Sequence, residues 1–255
     1  MFISEVPYYS TFVKTFGKKH AFTAFIVTFA AEKHDKPNKN PTTMNKNEKF
    51  VITINRELGS GGRTVGRKLA EKLGVAFYDK AVINALKEKF NLTVEEIEKL
   101  KGEKKNWWSD FLHIMQLGPS VNANFYLPQK GSPADQLDSK ELFQAESMLL
   151  QDIAIQESCV VAGRSGFFIL RAHPNHLSVF IQASMPFRVN RLMTKHQMTE
   201  EEARKAIKEV DEMRENYVKE FAKTSRYDTR NYDLVISADG KTEDQIVDLI
   251  LQYIG

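Results

Sequence analysis

Residues 59–62 read Gly-Ser-Gly-Gly, four residues beyond a β-branched apolar run, Val51-Ile52-Thr53-Ile54. That much backbone freedom is needed only where a chain turns sharply or packs close to something. The run before it has the composition of a buried strand. A helix starts after it: Val65, Leu69 and Leu73 fall four apart on one face, and Gly66 and Ala70 are small enough to let that face lie against a sheet. In a strand, glycine loop and helix in succession, loop N–H groups and the positive helix end converge on one spot that suits an anion. A tight strand-to-helix turn without a ligand would use the same glycines.

The spacing departs from the usual phosphate loop, G-x-x-x-x-G-K-[ST]. With Gly61 on the second glycine, Arg56 falls on the first, Gly62 on the lysine and Arg63 on the Ser/Thr. The turn glycines are present, but the lysine that reaches the transferred phosphate is absent. Arg63 and Arg67 place positive charge nearby, one turn apart. A dinucleotide loop fits less well, because Gly59-x-Gly61 followed by Gly62 and Gly66 misses G-x-G-x-x-G.

From residue 50 onward, short apolar strands alternate with helices. Strands are predicted over residues 51–54, 75–78, 159–162, 177–183 and 234–238. Thr93-x-x-Glu96, Asp138-x-x-Glu141, Thr199-x-x-Glu202 and Thr242-x-x-Gln245 mark helix starts. Ser184-Met-Pro186 opens another, with proline in the first turn. Residues 80–90 are also predicted helical. Residues 104–133 break the rhythm, with Trp107, Trp108, Phe111, Phe125 and Tyr126 among Gly, Pro, Asn and Ser. Such a stretch forms a lobe over a site or an oligomer contact. No hairpin signal separates the strands, so the expected fold is α/β: a three-layer parallel sheet of about five strands with helices on both faces. Ligands bind such sheets at the strand carboxyl ends. The glycine loop, Asp79 and Gly163-Arg164 all fall there.

At 255 residues and 42% hydrophobic, the chain can bury one good core. A formal charge of +3 gives no bulk electrostatic case for nucleic acid. The single Cys159 excludes an intramolecular disulfide framework and a Cys-rich zinc site, and it fits a reducing compartment. Inside an apolar run, it reads as a buried small hydrophobe rather than a nucleophile. Near the start, basic residues (Lys14, Lys18, Lys19, His20) precede a short apolar run over 21–31, then a polar linker over 32–49. Residues 1–49 are expected to be an N-terminal extension, disordered or not native, with an export signal as the rival. No membrane partner is expected, since the run is too short for a spanning helix.

With these residues in hand, the chain resembles the cytidylate kinase-like family of P-loop nucleoside monophosphate kinases, from about residue 49 to the end. The resemblance rests on Ile54-Asn-Arg-Glu-Leu-Gly-Ser-Gly-Gly-Arg63, on Phe77-Tyr-Asp-Lys80 and on residues 226–236 with Asn231-Tyr-Asp-Leu-Val-Ile236. It implies a P-loop NTPase-type domain over 50–255, with an inserted acceptor lobe at about 80–150 and a helical lid at about 188–215. It implies ATP and Mg2+ as cofactors, nucleotide substrates and a cytoplasmic enzyme that phosphorylates a small phosphate acceptor such as CMP. Gly59, Ser60, Gly61, Gly62, Arg63 and Thr64 would hold the donor phosphates, with Thr64 the nearest hydroxyl for magnesium. Gly163-Arg164 and Asp211-x-x-Arg214 match the family's acceptor-binding segments, with Ser165 in place of an aspartate. Arg188 and Arg191 match the basic lid. Asp79 either caps the next helix or holds a magnesium-bound water. Arg63 would stand in for the lysine missing at Gly62. The three helical arginines could equally pair with Glu200, Glu201, Glu202, Glu209 or Glu215. A binding protein without turnover is the alternative function.

Overall fold

The computed structural model describes residues 44–79, 139–163 and 165–255. The apolar run becomes strand β1 (Val51–Arg56). It extends two residues past Ile54 because a neighbouring strand supplies partners: Asn55 and Arg56 stand in register with Phe180 and Ile181. Helix α1 (Gly62–Leu73) follows the glycines. The other elements are β2 (Ala76–Tyr78), α2 (Ser139–Gln156), β3 (Cys159–Ala162), α3 (Gly166–Ile169), β4 (His176–Gln182), α4 (Met185–His196), α5 (Glu200–Ala222), β5 (Leu234–Ser237) and α6 (Glu243–Ile254).

The strands form one sheet in the order β2-β3-β1-β4-β5, with every pairing parallel. The chain leaves central β1 toward the β2 edge and later crosses from β3 to β4 on the other side. Connections that diverge from the middle of a parallel sheet open a crevice at the strand carboxyl ends. Side chains alternate across the sheet. Val179 and Ile181 join Ile52, Ile54, Leu69 and Ile250 in the larger core, while Phe180 between them joins Phe167, Val218 and Tyr232 on the opposite face. Helices thus cover both faces, as the alternating sequence predicts.

Gly66 lets α1 lie close to β2, since a Cβ there would sit 2.9 Å from the Phe77 ring. The capping boxes at Thr199/Glu202 and Thr242/Gln245 are both formed, and Ser184 caps α4. The four-residue α3 has no predicted counterpart, being too short to show a period. Residues 44–49, expected within a disordered linker, are instead tied to the domain. The Asn45 N–H donates to Asn175 Oδ1 at 3.1 Å, the Asn175 amide reaches the Asn45 and Lys49 carbonyls, and Met44 packs on the core. Composition cannot show such pairings across 130 residues.

Arg164, the helices expected at 80–90 and after Thr93, the aromatic stretch at 104–133, the cap at Asp138 and residues 1–43 lie outside the described residues. No helix among the described residues is long and apolar enough to cross a membrane.

Cys159 is fully buried in β3. Burial pushes its thiol well above the ordinary range, and the nearby Glu157 carboxylate adds to this. The thiolate is the reactive form. Iodoacetamide at pH 8 should therefore leave the native protein unmodified and add one group per chain in denaturant, read by intact mass.

Candidate active site

The loop between β1 and α1 is shaped by its own backbone. Ser60 donates from both its N–H and its hydroxyl to the Glu57 carbonyl, at 3.3 and 3.0 Å. Gly59 and Gly61 have φ values of 84° and 86°, the left-handed region that glycine enters without strain. Space demands glycine at position 59 as well, and is tight at position 61. A Cβ on Gly59 would lie 2.8 Å from the Arg188 carbonyl oxygen, and one on Gly61 would lie 3.2 Å from Arg191 Cζ. Gly61 is the N-cap of α1, which has no side-chain cap and no acidic residue in its first turn. The positive end of α1 thus faces the loop.

Beneath the loop, Asp211 of α5 gathers four donors. It accepts from the Leu58 N–H at 3.0 Å, from Arg188 Nη2, from Arg226 Nη1 at 3.3 Å and from Arg214 Nη1 at 3.4 Å. Arg188 also donates to the Leu58 carbonyl at 2.7 Å and faces Glu57 at 3.3 Å. Arg214 and Arg226 both donate to the Arg56 carbonyl. Glu57 completes the arrangement by accepting from the Ala183 N–H at 2.9 Å. The backbone of residues 56–58 is therefore held at the Arg56 and Leu58 carbonyls and at the Leu58 N–H by side chains from α4, α5 and the turn after α5. Such charge-assisted bonds are about twice as strong as neutral ones.

Above the loop lies a cavity of about 630 Å3. Gly59, Gly61, Gly62, Arg63, Thr64, Arg191 and Arg214 line it as the sequence suggests, joined by Arg56, Glu57, Arg67, Lys195 and His196. Six arginine and lysine side chains line it beside one carboxylate, Glu57, which already holds Arg188; Arg63, Arg191, Lys195 and Arg214 are themselves paired with Asp79, Glu243 and Asp211 outside the lining. A cleft of one sign with low-dielectric walls concentrates the opposite charge. Its chemistry suits a polyanion.

Four expected roles look different in three dimensions. Arg188, expected to close over phosphates, is buried under the loop and bound to Asp211 and Glu57. Asp211, expected at an acceptor, is the buried carboxylate that organises three arginines. Arg63, expected to replace the lysine, turns to Asp79 in a 2.5 Å ion pair. Asp79 is buried there, at the carboxyl end of β2. Ser60 is buried and spends its hydroxyl within the turn.

Arg191 bridges the cavity and α6, pairing with Glu243 at 2.5 Å. Burial raises the Glu243 carboxyl, but hydrogen bonding to Arg191 and to its own N–H, with the Arg191 and Lys195 charges, brings it below the ordinary glutamate value. A lowered folded value stabilises above the unfolded pKa of about 4.3 and is lost as pH falls through the folded value. From pH 6 to pH 3, wild-type melting temperature should therefore fall more steeply than that of Glu243→Gln.

The sequence profile of the cytidylate kinase-like family matches residues 51–239, which include the loop, the arginine cluster and all five strands. The chain belongs to the cytidylate kinase-like family. A cytidylate kinase from Thermotoga sp. (strain RQ2) is 29% identical over 178 residues, covering 64% of this chain and 80% of that one. An uncharacterized protein from Eubacterium ventriosum ATCC 27560 shares the fold at a TM-score of 0.58 and 22% identity, covering 81% of this chain and 98% of that one. The cytidylate kinase-like match begins at the first strand and takes in two positions assigned no role from the sequence, Arg56 and Arg226. Each carried a visible signal: Arg56 occupies a phosphate-loop glycine position, and Arg226 opens a segment that carries the family resemblance.

Proposed function

We propose that this protein transfers the γ-phosphoryl group of ATP to a small phosphate acceptor, a nucleoside monophosphate, with CMP as the first candidate. The observation that carries this is the cavity over the glycine loop, with six arginine and lysine side chains around the positive end of α1. The Thermotoga relative, a cytidylate kinase, supplies the candidate acceptor. Phosphoryl transfer asks a protein mostly for positioning and charge neutralisation. Loop N–H groups of Gly59 and of residues 61–64 hold the donor phosphates, the Ser60 N–H being spent on the Glu57 carbonyl. Arg191, over Gly61, covers the charge on the migrating group. Arg164 and Arg214 bind the acceptor, and Asp211 serves by fixing Arg214. The acceptor phosphate oxygen bonds to the γ-phosphorus as its bond to the β-bridging oxygen breaks, and ADP leaves.

The cavity wall fits magnesium that keeps mostly water and phosphate ligands. It offers the Thr64 hydroxyl, while the Glu57 carboxylate is engaged by Arg188 and the Ala183 N–H. Magnesium bound there would neutralise donor phosphate charge.

One observation favours binding without turnover: a glycine, Gly62, stands where the lysine would be. Coupled measurement of ADP release over a panel of nucleoside monophosphates, beside calorimetry with ATP, separates the two. Turnover on one acceptor supports the kinase. ATP binding without turnover on any acceptor supports the alternative, and absence of both removes each.

A further inference from the structure

We infer that Arg56 supplies the cation that the missing lysine would bring. It delivers that cation from the end of β1 instead of the start of α1. This rests on the proposal that the cavity takes the phosphates of ATP.

The inference begins with a collision. A Cβ on Gly62 would lie 2.6 Å from Arg56 Cβ and 3.0 Å from Arg56 Cγ. The Arg56 Cβ is fixed by the backbone, so no rotation of the side chain relieves the 2.6 Å overlap. A lysine at position 62 and an arginine at position 56 exclude one another. The Arg56 stem occupies the space in which a lysine stem would begin.

The head of Arg56 has its own notch. A Cβ on Gly163 would fall 2.1 Å from Arg56 Nη1 and 3.2 Å from Cζ. Gly163 follows β3 directly and has φ 82°, so it is glycine for conformation, and the Arg56 head lies where a side chain there would begin. Two glycines on different segments, Gly62 and Gly163, thus form a slot that Arg56 fills from the end of β1 across to the end of β3. The slot opens on the cavity, which Arg56 lines. Its backbone is held in place: the carbonyl accepts from Arg214 and Arg226, and the next residue's N–H donates to the Ile181 carbonyl at 3.1 Å.

Arg63 pairs with buried Asp79, and Arg191 arrives from α4 paired with Glu243. Arg56 alone among these three belongs to the strand that ends in the loop. An arginine also brings a planar fork of donors that matches two phosphate oxygens at once, where lysine brings a point charge. The paired departures from the phosphate-loop pattern, arginine for the first glycine and glycine for the lysine, become one exchange.

The test is a swap. Four proteins are compared with wild type by thermal melting and by calorimetry with ATP and adenosine: Arg56→Gln, Gly62→Lys, Arg56→Gly, and the double variant Arg56→Gly with Gly62→Lys. The double variant restores the spacing G-x-x-x-x-G-K. Arg56→Gln keeps a stem in the slot and removes the charge. It should lower ATP affinity at least tenfold while leaving adenosine affinity within about twofold, a loss that a merely structural role would not confine to the phosphates. Gly62→Lys should melt well below wild type, and the double variant should regain both melting temperature and ATP affinity beyond either single change. An unchanged ratio of ATP to adenosine affinity in Arg56→Gln, or a double variant no better than Gly62→Lys, overturns the inference while the ATP site stands. Wild type that binds no ATP overturns both the site and this role.

Discussion

Replacing Asp211 with asparagine is expected to destabilise the protein by about 3–5 kcal/mol, the range for removing one partner of a buried ion pair. The side chain is 8% exposed and faces Arg188 and Arg226, which are 6% and 3% exposed. An amide of the same shape keeps one acceptor but loses the charge that lets two buried guanidinium groups lie together. Glu57, which contacts Arg188 alone of the three arginines, cannot compensate for both. For a domain of this size, about 2–4 °C accompanies each kcal/mol. Thermal melting should therefore shift down by roughly 6–20 °C. A shift within about 2 °C would mean that the arginines find other partners and that Asp211 is not the hub. The loop should suffer with the fold, because Asp211 accepts directly from the Leu58 N–H at 3.0 Å.

Arg191→Ala should behave in the opposite way. Its pair with Glu243 is partly exposed, at 18% and 23%, so its loss should move stability by no more than about 1 kcal/mol. Its position over Gly61 puts it against the proposed phosphates. Removing one such preorganised donor typically costs about 10²–10³ in turnover. The kcat/KM for ADP release with the best acceptor should fall by that factor while the melting curve stays in place. Arg191→Lys should recover part of the rate. A melting shift as large as the one expected for Asp211→Asn would instead assign Arg191 to the scaffold.

These two arginine-rich sets could not be separated by sequence pattern. Arg188 and Arg191 lie three apart on one helix, and periodicity says only that both lie near one face. What divides them is what stands opposite. For Arg188 it is the Leu58 carbonyl, 130 residues away, and for Arg191 it is Glu243, 52 residues away. Local signals fared better. The strand–loop–helix at residues 51–73, the capping boxes at Thr199 and Thr242, and the small residues on α1 are each written within about twenty residues, and the structure contains them all. The sheet order needs pairings over more than a hundred residues, as does the anchoring of residues 44–49. The exchange between Arg56 and Gly62 was half legible. Both departures stood in the motif, but only the structure brings them together: a Cβ at position 62 would lie 2.6 Å from Arg56 Cβ.

Calorimetric titration with ATP, ADP, AMP and adenosine tests the phosphate site most directly. If the glycine loop and its arginines bind the phosphate chain, affinity falls with each phosphate removed and ATP binding weakens steeply with added salt. Adenosine binding as tight as ATP, or no heat from ATP at all, would contradict a phosphate site at residues 59–64.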